Sequence, residues 1–219
     1  MKVEIWSDIA CPFCYIGKRS FEQAFAQFEH ADGTEVAWRS FQLGPTMPKQ
    51  TGGDIYDVLA AKYGATREQA MQMNGRVAAM AEAAGLECDF DAIKPTNTLD
   101  AHRLVHLAAA NGKADQAKER LFEAYFRDGL NVSDHDVLKA IATGLELDET
   151  EVEAMLAGDR FAVAVADEHE QAADLGIAGV PMFVFDRASG VSGAQSPELL
   201  LRALRTAWNA THGPAEKGA

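Results

Sequence analysis

An α/β fold interrupted by a helical insertion is the class that this 219-residue sequence predicts. Strand-like runs stand at both ends of the chain: Val3 to Asp8 and Glu35 to Phe41 near the start, Ile177 to Phe185 and Val191 to Gly193 near the end. From about Asp54 to Asp159 the apolar periodicity is almost wholly helical. Where the first strand meets the first helix stands Cys11-Pro12-Phe13-Cys14.

The helix after the first strand runs from about Pro12 to Glu29, with Phe21, Phe25 and Phe28 recurring on one face and Asp32-Gly33 ending it. Val36, Trp38 and Phe41 alternate along the second strand, which leads into the Gly44-Pro45 and Pro48 loop. Such a β-α-β unit predicts parallel strands and a right-handed crossover. In the helical stretch, Thr66 with Gln69 forms a capping box, and Met73, Val77, Met80 and Ala84 make an apolar stripe that stops at Gly85. A methionine stripe of this kind reads as core filler. The next helix starts at Asn97 or Thr98 and ends at Asn111-Gly112; another carries Leu121, Phe122, Tyr125 and Phe126 to Gly129. Ser133 and Asp148 cap the two that follow.

Asp159 to Leu175 is helical again, with Phe161, Val165, Ala172 and Leu175 inward and Gly176 as its stop. Pro181 then stands in an apolar strand, either as a strand starter or as a cis peptide in a tight turn. Asp186 to Gly190 turns into the short strand Val191 to Gly193, and Ser196 or its neighbour opens a last helix bearing Leu199, Leu200, Ala203 and Leu204. The tail after Ala210 is expected to fray.

Hydrophobic content of 47% and charged content of 24% are those of a globular protein. A net charge of -13 argues against a nucleic-acid partner. No stretch approaches the roughly 18 apolar residues of a membrane span, and the start, Met1 to Trp6, shows no signal-peptide pattern, so a cytoplasmic, reducing setting is expected. Three cysteines there make a structural disulfide framework improbable and leave catalysis as the better reason for the pair.

A thiol in the first turn of a helix has its thiolate favoured by free backbone N–H groups and by the helix dipole. Cys11 is therefore the candidate nucleophile. Cys14, one turn deeper, is placed to attack a mixed disulfide on Cys11 and release the substrate by thiol–disulfide exchange. Pro12 suits the first helical position, where its missing N–H has no partner to lose. Zinc would want four ligands, and only Cys88 and six scattered histidines remain, which argues against it. His102 and His106 share a helix face at a spacing that zinc sites use, but no nearby carboxylate in sequence completes a site. Cys88 has no activating neighbour and reads as a small half-buried apolar residue. Lys18 and Arg19 read as part of a solvated face.

Taken in order, β-α-β, helical insert, α-β-β-α is the thioredoxin topology interrupted by a helical insertion. Residues 1–50 and 159–212 would form the thioredoxin-like domain and residues 51–158 the insertion. At this point the chain resembles the DsbA-like thioredoxin-fold oxidoreductases, and among them the FrnE-like branch. The matching pieces are Trp6-Ser7-Asp8 before Cys11-Pro12-Phe13-Cys14-Tyr15-Ile16-Gly17, Asn97-Thr98 with Ala101-His102-Arg103-Leu104, Gly176-Ile177 with Gly179-Val180-Pro181, and Val191-Ser192-Gly193-Ala194-Gln195.

The resemblance implies a protein dithiol–disulfide oxidoreductase or isomerase with Cys11 as nucleophile and Cys14 as resolving thiol, working without a cofactor beyond its own redox-active disulfide. It implies that Pro181 is cis and faces the thiols, with the Val180 backbone free to pair with an extended substrate strand. Pro12, Phe13 and His102 join Val180 and Pro181 as expected substrate contacts. Partners would be protein thiols and disulfides or small thiols. A related branch, similar to hydroxychromene-carboxylate isomerases and kappa-class glutathione transferases, has serine where Cys11 stands. In that branch the segment matching Gly193-Ala194-Gln195-Ser196 holds glutathione, so a glutathione-dependent isomerase or transferase acting on a small organic molecule is the alternative.

Overall fold

Lys2–Ser7 (β1) lies inside a four-stranded sheet and is buried along nearly its whole length. The computed structural model describes residues 1–213. Glu35–Ser40 (β2) pairs with β1 in parallel, and Met182–Phe185 (β3) pairs with its other edge antiparallel. Ser189–Ser192 (β4) follows β3, giving the order β2-β1-β3-β4. An inner strand covered on both faces has few polar positions, and the one acid of β1, Glu4, is held by Arg39 and Arg187.

Pro12–Phe25 (α1) and Pro197–His212 (α9) cover one face of the sheet, where Phe21, Phe28, Ile5, Phe183, Leu200 and Leu204 form one apolar core. Between β2 and the last helix before β3 run Ile55–Tyr63 (α2), Arg67–Ala83 (α3), Leu99–Ala110 (α4), Ala114–Phe122 (α5), His135–Gly144 (α6) and Glu149–Ala157 (α7). Ala162–Asp174 (α8) then returns to the sheet, where the Trp6 indole N–H donates to the Glu168 carbonyl. The helical segment builds a larger core from Leu104, Leu121, Phe122, Phe126, Leu138 and Val152, and Cys11, Cys14 and Tyr15 are part of that same core. Burying each such side chain contributes about 1.5–3 kcal/mol. The cysteine pair therefore sits where the sheet and the helical segment meet.

Several expectations are corrected. Helix α1 stops at Phe25 rather than Glu29, although Phe28 is buried as expected. On α3 the buried residues are Ala70, Asn74 and Ala81, while Met80 is 45% exposed, so the methionines are not its core stripe. Small side chains let α3 lie close to its neighbours. Helix α6 is capped by Asp134, not Ser133, because the Ser133 hydroxyl is occupied by the Lys49 carbonyl and Asn131. Helix α5 passes into a single π turn, Glu123–Arg127, which keeps Tyr125 and Phe126 buried. Leu175, expected inward, follows the end of α8 and is exposed. Strand β3 starts at Met182, which the register sets against Trp6, because Pro181 before it has no N–H to give to the ladder. Helix α9 continues through His212 past the expected fraying point at Ala210; residues 214–219 of that tail lie outside the described ones.

Candidate active site

Asp8 shapes the turn that presents the thiols. Its carboxylate accepts from the Ala10 N–H at 3.4 Å, and its carbonyl accepts from the Cys11 N–H at 3.2 Å. Cys11 then occupies the N-cap of α1 with extended backbone (φ -100°), and Pro12 takes the first helical position. The Cys11 carbonyl accepts from the Cys14 N–H at 3.0 Å. The two cysteines approach to 3.3 Å and are not bonded to each other.

Across from them, the Cys11 Sγ lies 3.6 Å from the Val180 carbonyl oxygen, and the Val180–Pro181 peptide bond is cis. The Gly193 N–H donates to the Pro181 carbonyl at 2.8 Å, and Ala194 packs against the core that holds the thiols. Gln195 bonds the Ser192 carbonyl, and Ser196 caps α9. The structure thus brings Cys11, Cys14, Val180 and Pro181 together, with Gly193 joined to them through Pro181. Pro12 is half-buried beside them and Phe13 is exposed. His102, expected to contact substrate, is 1% exposed and bonded to the Asp8 carboxylate.

Beneath the thiols lies a buried set of charged groups. Burial opposes ionisation of Asp8, but the His102 hydrogen bond and the Leu43 N–H, at 2.7 Å, outweigh it and hold the carboxyl below its usual range. Burial pushes the His102 imidazole down, and the Lys118 charge adds to that. Lys118 is itself enclosed, its ammonium 5.1 Å from the Phe122 ring and 5.5 Å from the Trp38 ring. Burial lowers it to about 8 against the opposing pull of Cys14, Asp8 and Cys11. Cys14 is pushed well above the ordinary thiol range by burial and by its Cys11 neighbour, with Lys118 pulling the other way. Buried charges are rare unless paired, and here each faces a thiol or an opposite charge.

Two further readings change. Lys18 is 1% exposed instead of solvated, held by Glu22, Asp115 and Glu119, and Arg19 pairs with Glu22 and Glu119, so both tie α1 to α5. His102 and His106 each meet a carboxylate from far away in sequence, Asp8 and Glu168 respectively. Among the described residues no three His, Cys, Asp or Glu side chains gather as metal ligands. Cys88 is half-buried, and burial pushes its thiol up to about 11, which agrees with an unreactive residue.

Lys118 was missed by sequence reasoning although a signal exists. It lies one turn before Leu121 and Phe122 and one after Ala114, on the face of α5 that also buries Ala117, so it is a charge on an apolar stripe. Asp8 and Glu168 carry no comparable signal, since their burial depends on strands and helices packed from elsewhere. No helix among the described residues is long and apolar enough to cross a membrane.

Comparison with known proteins gives consistent results. The family model described as DSBA-like thioredoxin domain matches residues 2–205. A probable DsbA oxidoreductase from Streptomyces coelicolor, known as a crystal structure, is 43% identical, covers 99% of this chain and 93% of its own, and superposes with a TM-score of 0.91. An uncharacterized Bacillus subtilis protein, YwbO, is 29% identical over 67% of this chain; the match spans 66% of that protein, just under two thirds of its length. The cytosolic disulfide reductase DsbM from Pseudomonas aeruginosa shares the fold at 17% identity, with 96% of this chain and all of that chain covered and a TM-score of 0.68.

Proposed function

Because this chain belongs to the DSBA-like thioredoxin domain family, we propose that it is a dithiol–disulfide oxidoreductase acting on protein thiols and disulfides through Cys11 and Cys14. One observation carries the reading: a thiol at a helix start has a second thiol 3.3 Å away and the carbonyl of Val180, two residues before β3, 3.6 Å from its sulfur. The Cys11 thiolate attacks one sulfur of a substrate disulfide; that S–S bond breaks and the other substrate sulfur leaves as a thiolate. Cys14, once deprotonated, attacks the Cys11 sulfur, forms the Cys11–Cys14 disulfide and releases the second substrate thiolate. Two electrons pass to the substrate, and oxidation is the reverse. Lys118, supplied by the 51–158 insertion, stabilises the thiolate that Cys14 must become.

Reduction of insulin disulfides tests the proposal. Cys11→Ser should abolish it, whereas Cys14→Ser should accumulate mixed disulfides on Cys11. Wild-type rates in Cys11→Ser would overturn the assignment.

A second reading, with glutathione as co-substrate for isomerisation or transfer on a small organic molecule, is favoured by the bond from Gly193 to Pro181. That bond ties Gly193 to Pro181, and Ala194, Gln195 and Ser196 lead from it into the N-terminus of α9, where an anion is favoured. DsbM has also been solved with GSH. A glutathione-conjugation assay run beside insulin reduction separates the two.

A further inference from the structure

Strand β2 is an edge of the sheet, and part of its outer side has no partner among the described residues. In a parallel ladder alternate residues face the neighbouring strand. The Glu35 N–H donates to the Met1 carbonyl at 2.9 Å, so Glu35, Ala37 and Arg39 face β1, and Val36, Trp38 and Ser40 face outward. The outward N–H of Ser40 is taken by the Glu168 carboxylate at 2.7 Å. Among the described residues no loop or side chain takes the outward groups of Val36 and Trp38.

Those groups open into a groove of about 570 Å³ between α1, which contributes Phe21 and Phe25, and α4, which contributes Val105 and Ala109. Acids mark its two ends, Glu35 where β2 begins and Asp115 beside the Trp38 indole, to which it is bonded at 3.1 Å. Their side chains remain 64% and 59% exposed: Glu35 meets Lys2 in a surface pair, which holds a charge only weakly, and Asp115, although it meets the enclosed Lys18, keeps most of its side chain open to solvent. Arg39, the one lysine or arginine among the described residues that line the groove, is already bound to Glu4 and Glu168.

We propose that this groove receives an extended segment of a partner polypeptide as a fifth strand beside β2, apolar in its middle and basic at both flanks. A strand set about 4.8 Å beyond β2 would pair with the free groups of Val36 and Trp38, the mode of strand addition to an open edge. Its side chains would alternate between the Phe21–Phe25 face and the Val105–Ala109 face, so both must be apolar. Its flanking lysines or arginines would meet Glu35 and Asp115. The helices on both sides leave room for a single strand, whereas a second copy would bring its own helices against them. The thiols do not line the groove, so the proposal does not rest on the redox reading.

The test uses the whole protein and a fluorescent synthetic peptide with two lysines at each end and alternating valine and alanine between. Saturable anisotropy with a Kd on the order of 10–100 µM is expected. Val36→Pro removes an outward N–H without touching the ladder to β1, and Ala109→Trp fills the groove from the exposed face of α4. Each should weaken binding about tenfold or more and leave thiol exchange unchanged, and replacing the peptide lysines by glutamates should do the same to binding. No saturation by about 1 mM, or equal binding by the glutamate peptide, would overturn the proposal. So would wild-type binding by Ala109→Trp, which decides the matter if Val36→Pro does not fold. A wild-type dimer that Ala109→Trp disperses would assign the groove to a second copy and overturn it as well.

Discussion

His102 Nε2 lies 3.3 Å from the Asp8 carboxylate, and both side chains are almost wholly enclosed beneath the cysteine pair. With Asp8 held down and the imidazole pushed down, the pair carries one negative charge, and the neutral ring donates its Nε2–H. That charge also orders the loop after β2 through the Leu43 N–H. Asp8→Asn keeps the shape but weakens three hydrogen bonds at once. It should cost about 1–3 kcal/mol, read as a lower urea midpoint with an unchanged slope, and it should slow exchange.

Lys118→Met should separate stability from activity. A buried lysine lowered to about 8 binds fewer protons in the folded than in the unfolded chain between about 8 and 10.5, so wild-type stability should rise with pH across that window. Below it the charged lysine is a cost, and a methionine packed in its place removes that cost: the variant should be no less stable than wild type at pH 7 and should lose the alkaline gain. Release of substrate by Cys14 should nevertheless slow about tenfold or more, with its pH profile moved to alkaline values. An unaltered release rate and profile would remove Lys118 from the chemistry.

Glu168 should dominate the acid limb of stability. Burial opposes its charge, but the His106 hydrogen bond, the Ser40 N–H and Arg39 together hold it at about 2. A depressed carboxyl stabilises above its unfolded value of about 4.5, and the contribution is lost as pH falls through about 2. From that shift the contribution is roughly 3 kcal/mol near neutrality. Glu168→Gln should lower the neutral urea midpoint and flatten the fall between pH 5 and 2; an unchanged acid limb would show that other carboxylates set it.

Gly17→Ala tests the closest approach of α1 to the far side of the site. A Cβ there would stand 3.0 Å from the Pro181 ring and 3.4 Å from the Phe183 ring. Helix propensity favours alanine by about 1 kcal/mol, while crowding a packed site costs about 1–3 kcal/mol. Crowding should win, because Phe183 is fully buried and has nowhere to move. A lower melting temperature and slower exchange are expected, and a stabilised, fully active variant would show that the Pro181 ring gives way.

The features legible in the sequence are those that local chemistry decides. The Thr66–Gln69 capping box, the Asp148 cap and the pair at the start of α1 need only neighbours a few residues away. What was not legible depends on distant packing. Lys18 looks like any surface lysine until α5 brings Asp115 and Glu119 to it. Met80 loses its place in the core because α3 turns Ala70, Asn74 and Ala81 inward, and Leu175 is left outside because α8 ends just before it. For the site, both cysteines and Val180 were named from the sequence, whereas Lys118 and Asp8 gained their roles only from assembly.

The pairing of β1 with β3 has a consequence for synthesis. Val180 follows Cys11 by 169 residues, and the strand that completes the inner sheet comes after it. At about 5–20 residues per second of translation, the thiols leave the ribosome on the order of ten seconds or more before that strand exists. During that interval the nascent chain carries two cysteines with neither the Val180 backbone beside them nor β3 to close the sheet. The site is therefore incomplete until the chain is finished, and until then its thiols are as open to misplaced crosslinks as those of any unfolded polypeptide.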